Sequence, residues 1–406
     1  MKRYPRIVLK KGKEASLKRF HPWLFSGAIE RTIGTSAPGD IVEVYSVAHE
    51  YLGTGHFQDG SIAVKLFSFN QREIDYSFWK EKIIKAYRLR TLLGLTSSSS
   101  TTAYRLIFTE GDELPGLIID WYNGVAVIQT HSLGMHLVKQ DIVNILKEIY
   151  GETLKAVYDK SSETTLLPAS SSKSELDKTG YNRIEDGYLY GNQQNGLISE
   201  TGHVFSVDWI RGQKTGFFLD QRSNSMFAQF YAKNKKVLNA FCYSGAFSVY
   251  ALKGGATMVH SVDSSRQAIE WVKENLLLNV IDDKKHESSV ADVKQFLVRT
   301  NETYDMIILD PPAFAKHHNI THNALQAYIH INTEAIRKIN PGGILMTFSC
   351  SQAITREMFR SAIQAAAIET GRKIQVLHYL SQGPDHPVSI YHPEGEYLKG
   401  LILEID

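Results

Sequence analysis

The sequence predicts an α/β chain in which a doubly wound, mostly parallel seven-stranded sheet over residues 191–406 follows a small all-β domain (1–72) and an α+β middle domain (73–190). Three observations carry this reading. From Val237 onward strand and helix patterns alternate, with strands near 237–241, 257–263, 286–290, 304–310, 342–350, 374–381 and 397–405 and helical stretches between the first six. The last gap, Gln382–Glu396, holds Pro384, Pro387, Pro393 and Gly395 and cannot be a helix, so the final strand is expected to return antiparallel. The N-terminal residues show neither pattern and are instead punctuated by Gly, Pro and Asp turns.

In that first domain Arg6–Leu9, Ile41–Tyr45, Tyr51–Phe57 and Ile62–Phe67 read as strands. The aromatics of His21–Ile29 lie beside a basic arm; Trp23 and Phe25 suit base stacking or a small core. A helical period follows from Asp75 to Leu95, through Phe78, Ile83, Ile84, Tyr87 and Leu92. Thr96–Thr102 is a flexible serine-rich loop, as is Ala169–Lys173. Strands at Tyr104–Phe108, Leu117–Tyr122 and Val125–Gln129, a helix from about Gly134 to Tyr150 and a strand at Ala156–Tyr158 complete the middle domain. Asn123-Gly124 is a hairpin turn pair. Nothing there looks catalytic, which suits a spacer or platform.

With 406 residues and 43% apolar content, the chain can bury large cores. It carries no 18-residue apolar run, no signal-peptide pattern and therefore no expected membrane partner; a cytoplasmic location is expected. Cys242 and Cys350, its only cysteines, make no disulfide framework and no metal cluster. Net charge is +2, yet eight Lys/Arg against Glu14 give the first twenty residues +7 and leave −5 for the rest. That asymmetry is either a solvated face or the footprint of a polyanion.

Residues 237–263 (VLNAFCYSGAFSVYALKGGATMVHSVD) are a βαβ half-unit with its crevice at the strands' carboxyl edge. Gly245 allows backbone N–H groups to approach a ligand, and Asp263 can accept hydrogen bonds from two ribose hydroxyls. The glycines do not form G-x-G-x-x-G, and no Lys-Ser/Thr follows, so the fit is to a nucleoside without phosphates. The apolar run Tyr304–Leu309 ends in Asp310-Pro311-Pro312, and Gly343–Ser349 delivers Cys350 to the same edge. If the two strands are neighbours their ends lie ~5 Å apart, close enough for Asp310 and Cys350 to share one substrate. The plainer alternatives are a helix-capping Asp310 and an inert buried Cys350.

The segments NAFCYSGAFS, VDSS, DPPAFAK and SCS, with GQKTGFFLDQR upstream and DHPV and EYLKGL near the end, resemble the class I S-adenosylmethionine-dependent RNA methyltransferases. More narrowly, the chain is similar to the bacterial large-subunit ribosomal RNA cytosine-C5 methyltransferase I family, which has an N-terminal PUA domain. The resemblance covers essentially the whole chain, including His21–Ile29, Gly39–Tyr45 and Glu110–Asp120. DPPAF alone is shared with guanine methyltransferases; its combination with GQKTGFFLDQR and SCS is more specific. Ser225 stands where the family usually has Arg.

The resemblance implies S-adenosylmethionine as cofactor. Asn239, Ala240, Tyr243, Ser244 and Gly245 are expected beside its methionine part, Asp263 and Ser264 at the ribose and Asp292 at the adenine. Phe218, Leu219, Asp220 and Gln221 would form the outer wall, with Asp310 at the reacting end. Cys350 is expected to add to C6 of cytosine while Asp310 holds N3 and N4. The base that takes the C5 proton is Lys316 or a water. Cys242 reads as packing, and Arg222 as either an ion pair or a site residue.

Lys10, Lys11, Arg19, Trp23, Phe314, Lys316 and His386 are the residues expected to contact ribosomal RNA, whose target base must be single-stranded or flipped out. The PUA domain's apolar edges would support a homodimer. Two other functions remain open. Guanine-nitrogen methylation would need no cysteine, and a non-catalytic RNA-binding assembly factor would not need the full set Asp263, Asp292, Asp310 and Cys350.

Overall fold

A computed structural model describes residues 3–165, 184–194, 196–314 and 321–406. The serine-rich stretch 169–173 and Lys316 lie outside them. The chain divides into two compact units, the first made of Met1–Ile198, Val207–Phe217 and Pro384–Gly395, the second of Ser199–Ser206, Phe218–Gly383 and Glu396–Asp406. Three stretches that the sequence boundary at 191 puts in the last domain, 191–198, 207–217 and 384–395, thus belong to the first unit.

The first unit begins with β1 (Arg6–Leu9), α1 (Ala15–Lys18), β2 (Trp23–Phe25), β3 (Ile29–Ile33), β4 (Ile41–Tyr45), β5 (Tyr51–Phe57) and β6 (Ile62–Ser68). Its sheet runs β2-β6-β5-β4-β1-β3, with β1 parallel to β4 and antiparallel to β3. Ile7, Leu9, Leu24, Val42, Val44, Val64 and Leu66 fill the core beneath it. The short β2 and β3 add to the four strands legible in the sequence.

Next come α2 (Tyr76–Leu92), capped by Asp75 on the Phe78 N–H, then β7 (Ala103–Phe108), β8 (Leu117–Tyr122) and β9 (Val125–Thr130). The turn between β8 and β9 has positive φ at both Asn123 (48°) and Gly124 (106°), the backbone a two-residue type I′ hairpin requires. The helical stretch predicted as one piece is two, α3 (Leu133–Leu137) and α4 (Lys139–Tyr150), because Val138 leaves the helix at φ −95°, ψ 6°. β10 (Ala156–Asp159) then pairs parallel to β9, and β11 (Gly187–Tyr190) gives the order β11-β10-β9-β8-β7. Phe78, Trp79 and Ile83 of α2 pack with Leu106, Ile119, Ile128, Ile142 and Leu146.

What ties the returning segments to this unit is a buried ionic network. Arg90 is fully buried; its guanidinium forks onto Asp112 (Nη2–Oδ2 2.8 Å) and donates to the carbonyls of Arg105 (2.7 Å) and Asp385 (2.8 Å). Arg105 in turn forks onto Asp120 (2.8 and 2.7 Å), which also accepts from the Thr215 hydroxyl, while the Arg105 N–H donates to the Asp385 carboxylate at 3.1 Å. Gly111 sits so close to Pro387 that a Cβ would fall 1.8 Å from its carbonyl oxygen. The DHPV motif is therefore a structural anchor of the first unit.

β12 (Gly196–Glu200) and β13 (His203–Val207) make a two-stranded sheet as the chain passes into the second unit. There β14 (Lys236–Ala240), β15 (Met258–Asp263), β16 (His286–Val290), β17 (Tyr304–Leu309), β18 (Ile339–Ser349), β19 (Ile374–Leu380) and β20 (Lys399–Ile405) form one sheet. Its order is β16-β15-β14-β17-β18-β20-β19. The first five positions are parallel, and β20 is antiparallel to both neighbours. This is the class I methyltransferase sheet. α6 (Ala246–Lys253), α7 (Arg266–Leu278), α8 (Val293–Arg299), α9 (Thr321–Arg337) and α10 (Arg356–Thr370) make the crossovers, after α5 (Arg222–Tyr231).

α5 is absent from the sequence reading, and Phe217–Gln221 is a loop ending in a 3-10 turn over Leu219–Gln221. The reason is compositional: the buried residues of α5 are Arg222, Asn224, Ser225 and Ala228, so no apolar helical period exists to be seen.

Breaking the Arg90 network leaves Asp112 buried without its cation. Arg90→Met is expected to destabilise the first unit by about 3–5 kcal/mol, measured by urea unfolding of the full chain. A loss below about 1 kcal/mol would show that the network carries little.

Candidate active site

All the residues brought together here belong to the second unit. The crevice lies at the carboxyl ends of β14, β15, β17 and β18, where the chain leaves each strand for its crossover. After β14 the loop takes left-handed backbone at Phe241 (φ 60°), Tyr243 (φ 46°) and Gly245 (φ 79°). The two non-glycine residues pay of order 1–3 kcal/mol each for that conformation. Specific bonds hold them there: Tyr243 N donates to Asp263 Oδ2 (3.0 Å), Gly245 N to the Cys242 carbonyl (2.8 Å), and Asn275 Nδ2 to the Ser244 carbonyl (2.8 Å). A Cβ on Gly245 would lie 2.9 Å from Val272, so both conformation and space select glycine.

Asp263 closes β15 half-exposed, its second oxygen accepting the Ser265 N–H at 2.9 Å. A carboxylate has lone pairs left after two such bonds, available to vicinal hydroxyls. Ser264 is exposed beside it. Asp292 is exposed and caps α8 through Gln295 N (2.9 Å), next to Ala291, whose N–H donates to the Asp263 carbonyl. The ring of Phe218 meets Tyr243 edge-on at 4.9 Å, and Tyr243 meets Trp271 at 5.6 Å. These features fit S-adenosylmethionine: carboxylates for the ribose and base, aromatic rings that tolerate a sulfonium, and no basic side chain on the loop Phe241–Gly245.

Asn239 and Ala240 are fully buried in β14; the Asn239 amide is committed to Ser248 Oγ (2.8 Å). Cys242 is buried too, and burial together with the Asp263 charge pushes its thiol well up, so it is neutral packing.

The FLDQR segment is fastened on both sides. Gln221 Nε2 donates to Asp310 Oδ2 at 2.9 Å, and Asn224 Nδ2 donates to the Gln221 side-chain oxygen Oε1 at 2.6 Å. Tyr397 donates its hydroxyl to Asp220, whose carbonyl accepts from Gly383 N at 3.2 Å. Leu219 is buried behind them. Arg222 and Glu200, both buried, form an ion pair at 3.4 Å. Ser225, in the place of the family's arginine, is 1% exposed and its hydroxyl has no hydrogen-bond partner among the described residues.

β17 and β18 are adjacent and parallel, with Leu309 opposite Thr347. β18 runs two residues beyond that pair to Ser349, so Asp310 and Cys350 leave neighbouring strands at the same edge with Cys350 further along, and the half-buried Cys350 Sγ lies 3.9 Å from the Pro311 carbonyl. The Tyr328 hydroxyl bonds both serines flanking the cysteine, Ser349 Oγ at 2.9 Å and Ser351 Oγ at 3.0 Å. Phe314 packs on the same tyrosine at 4.8 Å, with Lys294 over its ring. Sequence reasoning passed over Tyr328, the single Phe/Tyr/Trp residue of α9, and Lys399, the charged first residue of the apolar β20.

Among the RNA-contact candidates of the first unit, Lys10, Lys11 and Arg19 are exposed. Trp23 is half-buried, its indole N–H on Glu110 Oε1 (2.8 Å) and its ring 4.4 Å from His392. His386 is 2% exposed against Phe108.

Asp263→Asn would turn an amide N–H toward the Tyr243 or Ser265 N–H. Losing one charge-assisted bond there is worth about 1.5–3 kcal/mol, so S-adenosylmethionine affinity is expected to fall at least about tenfold by calorimetric titration. An unchanged Kd would remove Asp263 from the site.

Comparison with known proteins agrees with this geometry. A family model described as S-adenosylmethionine-dependent methyltransferase matches residues 117–392, and a PUA-like domain model matches residues 7–69. The protein named ribosomal RNA large subunit methyltransferase I from Pseudoalteromonas atlantica is 39% identical over 98% of this chain and 99% of its own length. Its namesake from Tolumonas auensis is 37% identical over 98% of both. Among solved structures, a chain from Streptococcus mutans assigned as a SAM-dependent methyltransferase has TM-score 0.82 at 24% identity, over 98% of this chain and 99% of that one. A second, complexed with SAH, has TM-score 0.83 at 24% identity over the same shares. S-adenosylmethionine is thus the methyl donor, and the chain belongs to the ribosomal RNA large subunit methyltransferase I family of S-adenosylmethionine-dependent methyltransferases.

Proposed function

We propose that this enzyme methylates C5 of a cytosine in large-subunit ribosomal RNA through a covalent adduct on Cys350. The observation that supports this most is the pairing of β17 with β18, which brings a half-buried thiol to the sheet edge that carries Asp310. The relatives' shared name supports the RNA class. C5 of cytosine is a poor carbon nucleophile, and the chemistry follows from that.

The Cys350 thiolate adds to C6, forming the S–C6 bond and pushing electron density onto C5. Asp310, steadied by Gln221, holds the N3/N4 edge and stabilises the charge of the adduct. Bound in the crevice, S-adenosylmethionine supplies an electrophilic methyl on a sulfonium. Once C5 carries the methyl, its proton leaves to a base, Lys316 or a water, and the S–C6 bond breaks to free the thiolate. The target base must stand out of any helix for the thiol to reach C6. The exposed Lys10, Lys11 and Arg19 would hold the surrounding phosphates, giving a binding that weakens with salt.

Methyl transfer from labelled S-adenosylmethionine to bulk ribosomal RNA, with nucleosides identified by mass spectrometry, tests the proposal. 5-Methylcytidine is expected from the wild type, with a drop of at least about a thousandfold in Cys350→Ala, as for loss of a catalytic nucleophile. Methylguanosine formed equally by both proteins would overturn it.

A further inference from the structure

Lys399 is a buried charged residue in contact with the cysteine segment that the chemistry above leaves without a role. It begins β20 directly opposite Ser349 of β18, the residue before Cys350, and is 3% exposed. Its Nζ donates to the carbonyl of Ser351, the residue after Cys350, at 2.7 Å. The lysine thus grips the backbone on the far side of the cysteine, as Tyr328 grips the flanking hydroxyls.

An ammonium this buried is costly unless an anion pairs with it, and one carbonyl dipole is a partial remedy. The groups facing it can be named element by element. From the residue after β18 comes Cys350; from the segment before β20, Glu396; from the start of α10, Arg356, which opposes the lysine's charge. Glu396 is bound to Arg356 and is half-exposed. Tyr328 of α9 is pushed up to about 12, chiefly by burial, and stays neutral. The Cys350 sulfur is therefore the anion best placed to balance Lys399.

We infer that Lys399 is a positioning residue whose buried ammonium holds the Cys350 sulfur as a thiolate and whose bond to Ser351 fixes the cysteine's backbone. This rests on Cys350 being the nucleophile, yet its test needs no RNA. Burial brings the lysine itself down to about 8, while a Cys350 thiolate works to raise it. The sign for the cysteine is the reciprocal one: a neighbouring cation lowers the pH at which the thiol ionises. Removing that cation therefore depletes thiolate most below about pH 8, and the effect vanishes in alkali, where any thiol is ionised.

The test follows the rate of iodoacetamide alkylation of Cys350 against pH in the full-length protein. Peptide mass spectrometry reads Cys350 separately from Cys242. The wild-type midpoint is expected clearly below the ordinary thiol value of about 8.5. Lys399→Met should raise it by at least about one unit, a tenfold slower reaction near pH 6.5 that converges with wild type above about pH 10. Lys399→Arg should keep the low-pH reactivity, and Lys399→Met should lower kcat for methyl transfer with little change in KM for RNA. A wild-type midpoint at or above about 8.5, or an unchanged midpoint in Lys399→Met, would overturn the inference; the wild-type value decides alone if the variant does not fold. If Cys350→Ala still methylated RNA while the alkylation profile behaved as expected, the catalytic proposal would fail and the ion pair would stand.

Discussion

The hydrogen-bonded pairing of β17 with β18 is the constraint on which the chemistry depends. β17 ends at Leu309 opposite Thr347 and β18 runs two residues further to Ser349, so Asp310 and Cys350 emerge at one edge in a fixed register. β17 is buried along nearly its whole length, as a central parallel strand must be. A slip of one residue would turn either side chain to the opposite face of the sheet. β20, lying antiparallel against β18 over Gly343–Ser349, fixes the same strand from its other side and brings Lys399 with it.

The cofactor half of the crevice relies on a different device. Left-handed backbone at Phe241 and Tyr243 is unfavourable in isolation and is held by the Asp263 carboxylate and by Asn275. Asp263 thus serves the loop as well as facing the crevice. The first unit takes its cohesion from apolar cores and from Arg90 on α2 and Arg105 on β7, which bind the Asp385 carbonyl and carboxylate across 295 and 280 residues of sequence. That explains why a methyltransferase-like C-terminal sequence contains twelve residues, Pro384–Gly395, that belong elsewhere.

Much of this was legible in the chain itself. The seven strands of the large sheet follow from alternating periods, and the antiparallel last strand from prolines that forbid a helix before it. Gly245 announced its positive φ, and Asn123-Gly124 its hairpin. α5 was hidden because its buried face is polar, β2 because it spans only three residues, and β3 because its sequence IERTI is polar at its centre and mostly exposed. The structural roles of Arg90, Asp112 and Asp385 rest on side chains far apart in sequence, which no local pattern reports. Tyr328 and Lys399 escaped for the same reason, since only the folded sheet brings them to the cysteine.

The central claim is that Cys350 bonds covalently to C6 of the target cytosine, and trapping that bond tests it most directly. Ribosomal RNA carrying 5-fluorocytidine lacks the C5 proton whose loss would release the enzyme, so the adduct should persist after methyl transfer. The account predicts a denaturation-resistant protein–RNA complex, formed only with S-adenosylmethionine present and mapped by peptide mass spectrometry to Cys350. Methyl transfer to the same RNA with no such complex, or a complex undiminished in Cys350→Ala, would contradict it.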